Sequence, residues 1–268
     1  MILASAAIAE EKGKSMEEKG KSMEWKPPAD RPFPILAWLG PYGDIITDPI
    51  VADMANAGFN LWHMQGAYSE TETRSALDLG KKHGIGILVR DQSMDCKPNR
   101  IPTDASIEKA VDRWKAYPAL AGYAIKDEPV WGDFPEIARI RQTLARLDPG
   151  RLVYVNLAPS RAGRKRLGGS YPEHVDSFIK TFQPTVLSFD EYPITHHASR
   201  IRGEYYSNLE IIRAAALEAK VPFWAFTLST AHASYPEPTE GHLRFQLYSD
   251  LVYGAKGLQY FTYCRPRN

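Results

Sequence analysis

The chain lacks the features of a membrane span, a disulfide framework and a nucleic-acid-binding face. No apolar run approaches the roughly 20 residues needed to cross a bilayer. Only two cysteines, Cys96 and Cys264, occur in 268 residues. So far apart, they make neither a disulfide framework nor a metal site and read as free thiols. An excess of one charge is also missing. Against 33 Lys and Arg stand 32 Asp and Glu, a net charge of +1 with no long basic stripe, which argues against nucleic acid.

The first 33 residues differ from the rest. The opening MILASAAIA is similar to the tail of a signal peptide, with small residues at Ala7 and Ala9, but has no basic start. The heptapeptide EEKGKSM then occurs twice in tandem, at 10–16 and 17–23. So polar a segment cannot bury enough surface to offset its ordering entropy and reads as a flexible leader. The leader points to a secreted or periplasmic protein; without it the expected location is the cytoplasm.

From Pro34 the pattern is periodic. Eight short strand-like runs (34–40, 60–66, 85–91, 121–127, 151–157, 185–191, 222–228 and 258–264) alternate with seven amphipathic stretches of helical spacing. Strands that alternate with helices make parallel sheets with right-handed crossovers. Eight units of about 30 residues predict a closed (β/α)8 TIM barrel, a single catalytic domain over 34–268. An open doubly wound sheet is the alternative, but no Gly-rich phosphate turn follows the first run. An eighth helix is not visible, since the sequence stops four residues after the last strand-like run.

A TIM barrel does its chemistry at the C-terminal ends of its strands, and alternation along each strand selects the inward side chains. In GYAIKDEP (122–129), bulky Tyr123 and Ile125 suit the helix side. Lys126 and Glu128 are then expected inward. The same rule sends Asp190 inward after strand 6, with Arg90 on strand 3, Asn156 on strand 5, and Thr227 and Ser229 on strand 7. Trp224 and Phe226 are expected beneath a helix. The rim would carry Glu128, Asp190, Arg90 and Asn156, with Asp127, Glu191 and Tyr192 beside them. Two carboxylates across a cleft, one protonated and one ionised, are the equipment of glycoside hydrolysis.

GYAIKDEP resembles the strand-4 motif of the large clan of retaining (β/α)8 glycosidases that includes β-galactosidases and endo-glycanases. There an Asn-Glu-Pro triplet supplies the acid/base Glu, which the resemblance places at Glu128. The stretch LRFQLYSDLVYGAKGLQYFTY (243–263) resembles the last helix and strand of β-galactosidase-like glycosidases from carbohydrate-degrading bacteria. The resemblance spans roughly 34–264 and implies retention, a carbohydrate substrate and no cofactor. Asp127 departs from the clan's Asn. FWAFTLST also lacks the clan's strand-7 Glu nucleophile, so Asp190 is the expected second carboxylate, with Glu191, Glu237 and Glu240 as alternatives.

Simpler roles exist for each residue. Glu128 would serve as a rim salt bridge to Lys126 or Arg90, Asp127 as a loop cap and Asp190 as a turn acid. Among His63, His196, His197 and His232, a metal site needs three or four converging ligands, and none is expected. Trp38, Trp62, Trp131, Trp224, Tyr192 and Tyr260 are candidate sugar platforms, Trp131 foremost. Rival functions are a non-catalytic glycan-binding barrel, a metal-dependent sugar isomerase and an aldolase-like barrel using Lys126. The adjacent Asp-Glu pair also resembles that of N-acetylhexosaminidases, whose substrate-assisted route requires a 2-acetamido sugar.

Overall fold

The structure, a computed structural model, describes Ala29 and residues 32–97, 100–195 and 201–264. Almost the whole leader therefore lies outside the described residues, as do His196 and His197. Eight parallel strands pair in sequence order: β1 (Ile35–Trp38), β2 (Leu61–His63), β3 (Gly86–Val89), β4 (Leu120–Asp127), β5 (Leu152–Leu157), β6 (Leu187–Phe189), β7 (Phe223–Leu228) and β8 (Leu258–Phe261). Pairing of β8 with β1 closes the sheet. This is a (β/α)8 TIM barrel.

Seven long helices lie between the strands: α1 (Asp48–Asn56), α2 (Glu70–His83), α3 (Asp104–Trp114), α4 (Phe134–Leu147), α6 (Tyr171–Phe182), α7 (Glu204–Ala219) and α8 (Glu240–Val252). A four-residue helix, α5 (Arg164–Leu167), precedes α6. Their boundaries follow local chemistry. In α2 the Ser69 side chain accepts from the Glu72 N–H while Glu72 reaches back to the Ser69 N–H, a capping box. Proline occupies the first turn of α1, α4 and α6, where its missing N–H costs nothing. Among the described residues no helix is long and apolar enough to cross a membrane.

Two apolar cores result. The larger lies between strands and helices, around residues such as Met54, Ile107, Ile137 and Phe178. The smaller fills the lumen. There Trp38 meets Phe226 edge-on at 5.1 Å between ring centroids and Tyr154 at 6.3 Å, and Tyr154 meets Trp224 at 6.3 Å. The expected alternation of β7 is therefore inverted: Trp224 and Phe226 point inward, which turns Thr227 to the helix side. Bulk alone suggested the wrong face. An eight-stranded barrel is filled by its own side chains, and β4 contributes only Ala121 and Ala124 to that lumen cluster. Large rings fill the space.

Strand β4 is irregular where it matters. Ala124 pairs with Tyr154, but the next pairs are Lys126 with Val155 and Asp127 with Asn156. Ile125 is thus an extra residue, a β-bulge, and beyond it the alternation flips. Lys126 leaves the lumen, contrary to expectation; its Nζ donates to the Cys96 carbonyl at 2.8 Å and lies 3.4 Å from Asp133. Asp127 takes the inward place opposite Asn156.

Gly122 marks the tightest approach on β4, where an added Cβ would lie 2.0 Å from the Leu152 carbonyl oxygen. That neighbour is backbone and cannot step aside. Gly122→Ala should cost roughly 3 kcal/mol or more in urea unfolding, whereas Gly132→Ala, with nothing within 4 Å of the new methyl, should stay within about 0.5 kcal/mol of wild type.

Candidate active site

The C-terminal ends of β3 to β6 bring Asp127, Glu128 and Asp190 to one place. Asn156 on β5 is the hub. Its Nδ2 donates to Asp190 Oδ1 at 2.8 Å and, more weakly, to Asp127 Oδ1 at 3.5 Å. Through that shared nitrogen the two carboxylate oxygens cannot be more than 6.3 Å apart. Ser188 Oγ donates to Asn156 Oδ1 at 2.9 Å, which fixes the orientation of the amide. Below it, the Tyr154 hydroxyl, Ser188 and Gln259 form a buried hydrogen-bonded group. The acids stand on a polar layer over an aromatic floor.

On the β2–β3 side, Arg90 Nη1 donates to Gln65 Oε1 at 2.8 Å, and Gln65 Nε2 donates to Asp127 Oδ2 at 3.3 Å. Arg90 also binds Asp95, at 3.0 Å from Nε. Glu128 follows the bulge in a left-handed conformation, φ 44°, with its N–H on the Asn156 carbonyl at 2.8 Å. A glutamate rarely adopts this conformation, which costs about 1–3 kcal/mol and concentrates at functional sites. Its carboxylate accepts from Arg166 Nη2 at 2.7 Å, and the same nitrogen reaches its carbonyl at 2.9 Å. The simple rim salt bridge exists, but its partner is Arg166 rather than Lys126 or Arg90.

These surroundings separate the acids electrostatically. Burial pushes the Asp190 carboxyl well above the usual range, and the charges of Glu128 and Asp127 push the same way, against the Asn156 hydrogen bond. Asp127 is half-buried. Burial first, then Glu128, raise it to about 6, while Asn156, Arg90 and Arg166 oppose the rise. The charge of Glu128 acts on both acids, and that of Asp127 adds to the rise at Asp190.

The other expected residues lie as follows. Trp38 and His63 are both buried and stacked, 3.9 Å between ring centroids. Burial and then the charge of Arg90 hold the His63 imidazole well below its usual pKa, hence neutral. Tyr192 is packed edge-on against Tyr235 and His232, and its carbonyl accepts from Arg202. Glu191, fully buried, points away to Arg161 at 3.3 Å and Arg202 at 3.7 Å. Glu237 is exposed and accepts from the Ala231 N–H; Glu240 is exposed at the start of α8 and pairs with Arg244. Trp62 and Trp224 are buried, whereas Trp131 is 55% exposed beside the Glu128 loop. Among the described residues no group of three or more His, Cys, Asp or Glu is arranged to hold a metal ion.

No family's sequence model matches this chain. No curated protein matches it in sequence either. Solved structures match in fold. A provisionally assigned alpha-L-fucosidase from Bacteroides thetaiotaomicron is 11% identical, with a TM-score of 0.64 over 88% of this chain and 87% of that one. A beta-galactosidase from Marinomonas ef1 is 10% identical, with a TM-score of 0.59 over 85% of this chain and 54% of its own. An HpcH/HpaI aldolase from Desulfitobacterium hafniense is 15% identical, with a TM-score of 0.54 over 85% of each chain. Identities this low establish the barrel alone, and the matched proteins include both glycosidases and an aldolase.

Gln65, Arg166, Arg161 and Arg202 belong to the mouth of the barrel but were not singled out from the sequence. All lie in the segments after strand ends, Arg166 in the short helix α5, where period-2 alternation gives no signal. Raised acids carry a stability consequence. A carboxyl at about 6 when folded and 3.8 when unfolded favours the fold below pH 3.8, and that advantage is lost as pH rises through 6. Asp127→Asn should therefore gain roughly 1–3 kcal/mol over wild type at pH 8 and little at pH 4, read by urea unfolding at both.

Proposed function

We propose that this barrel is a glycoside hydrolase. The observation that carries the reading is the convergence of three carboxylates with different environments at the C-terminal mouth: Asp127 and Asp190 on one amide, Glu128 on Arg166. Paired titratable groups whose surroundings push them apart are how one site supplies both a proton and a charge.

The geometry favours an exchange of the roles expected from the sequence. Arg166 holds Glu128 as an ion pair, so Glu128 is the anionic member. The Asp127–Asp190 pair holds the proton. In the reaction, a Glu128 oxygen bonds the anomeric carbon as the glycosidic C–O bond breaks, and the pair gives its proton to the departing oxygen. The pair then takes a proton from the water that hydrolyses the glycosyl ester, and Glu128 leaves as carboxylate. Gln65 and Arg90 supply hydrogen-bonding groups for sugar hydroxyls, and Trp131 supplies a stacking face.

The aldolase alternative is disfavoured by the bulge, because Lys126, the one lumen lysine expected for a Schiff base, is on the outer side with its ammonium on Cys96 and Asp133. A non-catalytic glycan-binding barrel would share the stacking surface but would release no reducing ends.

The test compares an unactivated glycoside or polysaccharide with its dinitrophenyl glycoside. Glu128→Gln should abolish turnover of both, since attack is needed whatever leaves. Asp190→Asn and Asp127→Asn should lower the unactivated rate by about 10²–10⁴-fold and spare glycosylation by the activated substrate. If Glu128→Gln spares the activated substrate, Glu128 is the proton donor after all. If wild type releases no reducing end from a broad glycoside and polysaccharide panel, the hydrolase reading fails.

A further inference from the structure

The loop after β5 reads SRAGRKRLGG (160–169), with four cations in six residues from Arg161 to Arg166. Two of them are accounted for: Arg161 lies against Glu191 and Arg166 against Glu128. Arg164 and Lys165 are exposed, and neither has an ion pair among the described residues. Glu173, on which the charge of Arg164 acts from beyond ion-pair distance, is committed elsewhere: it accepts from the N–H and hydroxyl of Ser170 at 2.7 Å each, as the cap of α6.

This loop is held in place rather than loosely draped. Leu167 is buried, and its carbonyl meets Nδ1 of the buried His174 at 2.8 Å. The N–H groups of Arg166 and Leu167 return to the Gly163 carbonyl, and that of Gly168 to the Arg164 carbonyl. Trp131 is seated on the end of the same loop. At Gly168, φ 76°, an added Cβ would lie 2.4 Å from the Trp131 ring, so the indole rests where only a glycine leaves room. A large aromatic side chain, 55% exposed, is thus fixed on the segment that carries Arg164 and Lys165 and whose Arg166 binds Glu128. Leaving an indole in water forgoes its burial free energy, and leaving cations unpaired next to it marks the surface as one that receives an anion-bearing, ring-shaped ligand.

We infer that Trp131, Arg164 and Lys165 form a subsite for an anionic sugar residue, so that the polymer bound at this mouth carries carboxylate or sulfate groups. This rests on the reading of the mouth as a carbohydrate site. The sugar face stacks on Trp131, and its acidic substituent meets the two cations, while Arg166 remains with Glu128.

Affinity electrophoresis of the full chain in gels containing polygalacturonate, κ-carrageenan or neutral dextran tests it without requiring turnover. Retardation is expected with at least one acidic polymer and not with dextran, and it should fall as salt is raised. Polygalacturonate alone would identify the substituent as carboxylate, carrageenan alone as sulfate. The double variant Arg164→Ala/Lys165→Ala should weaken binding about tenfold. Trp131→Ala should weaken it by about the same factor with an unchanged salt dependence, because stacking carries no charge. Equal retardation in dextran, no retardation in either acidic polymer, or binding indifferent to either variant would overturn the subsite. Hydrolysis of neutral glycosides without acidic-polymer binding would remove this inference and leave the hydrolase reading intact. Binding without release of reducing ends would do the reverse.

Discussion

One extra residue in β4 governs the chemistry available at the barrel mouth. Without Ile125 as a bulge, Lys126 would face Asn156 and place an ammonium among the acids. With it, Asp127 faces Asn156, and a second carboxylate shares the amide already bound to Asp190. Bulges re-aim side chains in this manner next to functional sites. The left-handed turn at Glu128 follows immediately, and the proline after it ends the strand. Strand, bulge and turn together gather three acids where regular alternation would have gathered fewer.

That gathering is costly, and the rest of the lumen sets the cost. The rings of Trp38, Tyr154, Trp224 and Phe226 fill the barrel below, so water does not solvate the acids from beneath. Burial is the largest influence on both Asp127 and Asp190, ahead of any single charge. Arg90 works on Asp127 partly through Gln65, and Arg166 neutralises Glu128. The arrangement destabilises the fold above neutral pH, and on the proposed reading it trades that stability for a proton held where it can be transferred.

Much of the barrel was legible in the sequence, because eight alternations of strand and helix leave few topologies. Seven helices were legible as amphipathic stretches between the strands, whereas the Ser69 cap that starts α2 was not read from the sequence. Inward positions were legible only on regular strands. Asn156, Ser188 and Asp190 follow simple alternation on β5 and β6. Lys126 and Asp127 do not, since no residue type announces a bulge, and Trp224 and Phe226 do not, since bulk says nothing of which core is larger. Arg166 and Gln65 reach the site from loops whose paths are set by packing far away in sequence. The GYAIKDEP stretch covers the end of β4, where Asp127 and Glu128 lie; what it could not give was the face each acid occupies.

The central claim is that Asp127 lies in the lumen beside Asp190 and that both carboxyls are raised there. Carboxyl-carbon NMR of protein labelled at aspartate, titrated from acid to alkaline pH, tests it most directly. Asp127 should titrate at about 6, Asp190 and the buried Asp250 should stay protonated to still higher pH, and Asp127→Asn should remove the first resonance and lower Asp190 while leaving Asp250 unchanged. If the resonances removed by Asp127→Asn and Asp190→Asn titrate at or below the ordinary value of 3.8, the two acids are not buried together and the account is wrong.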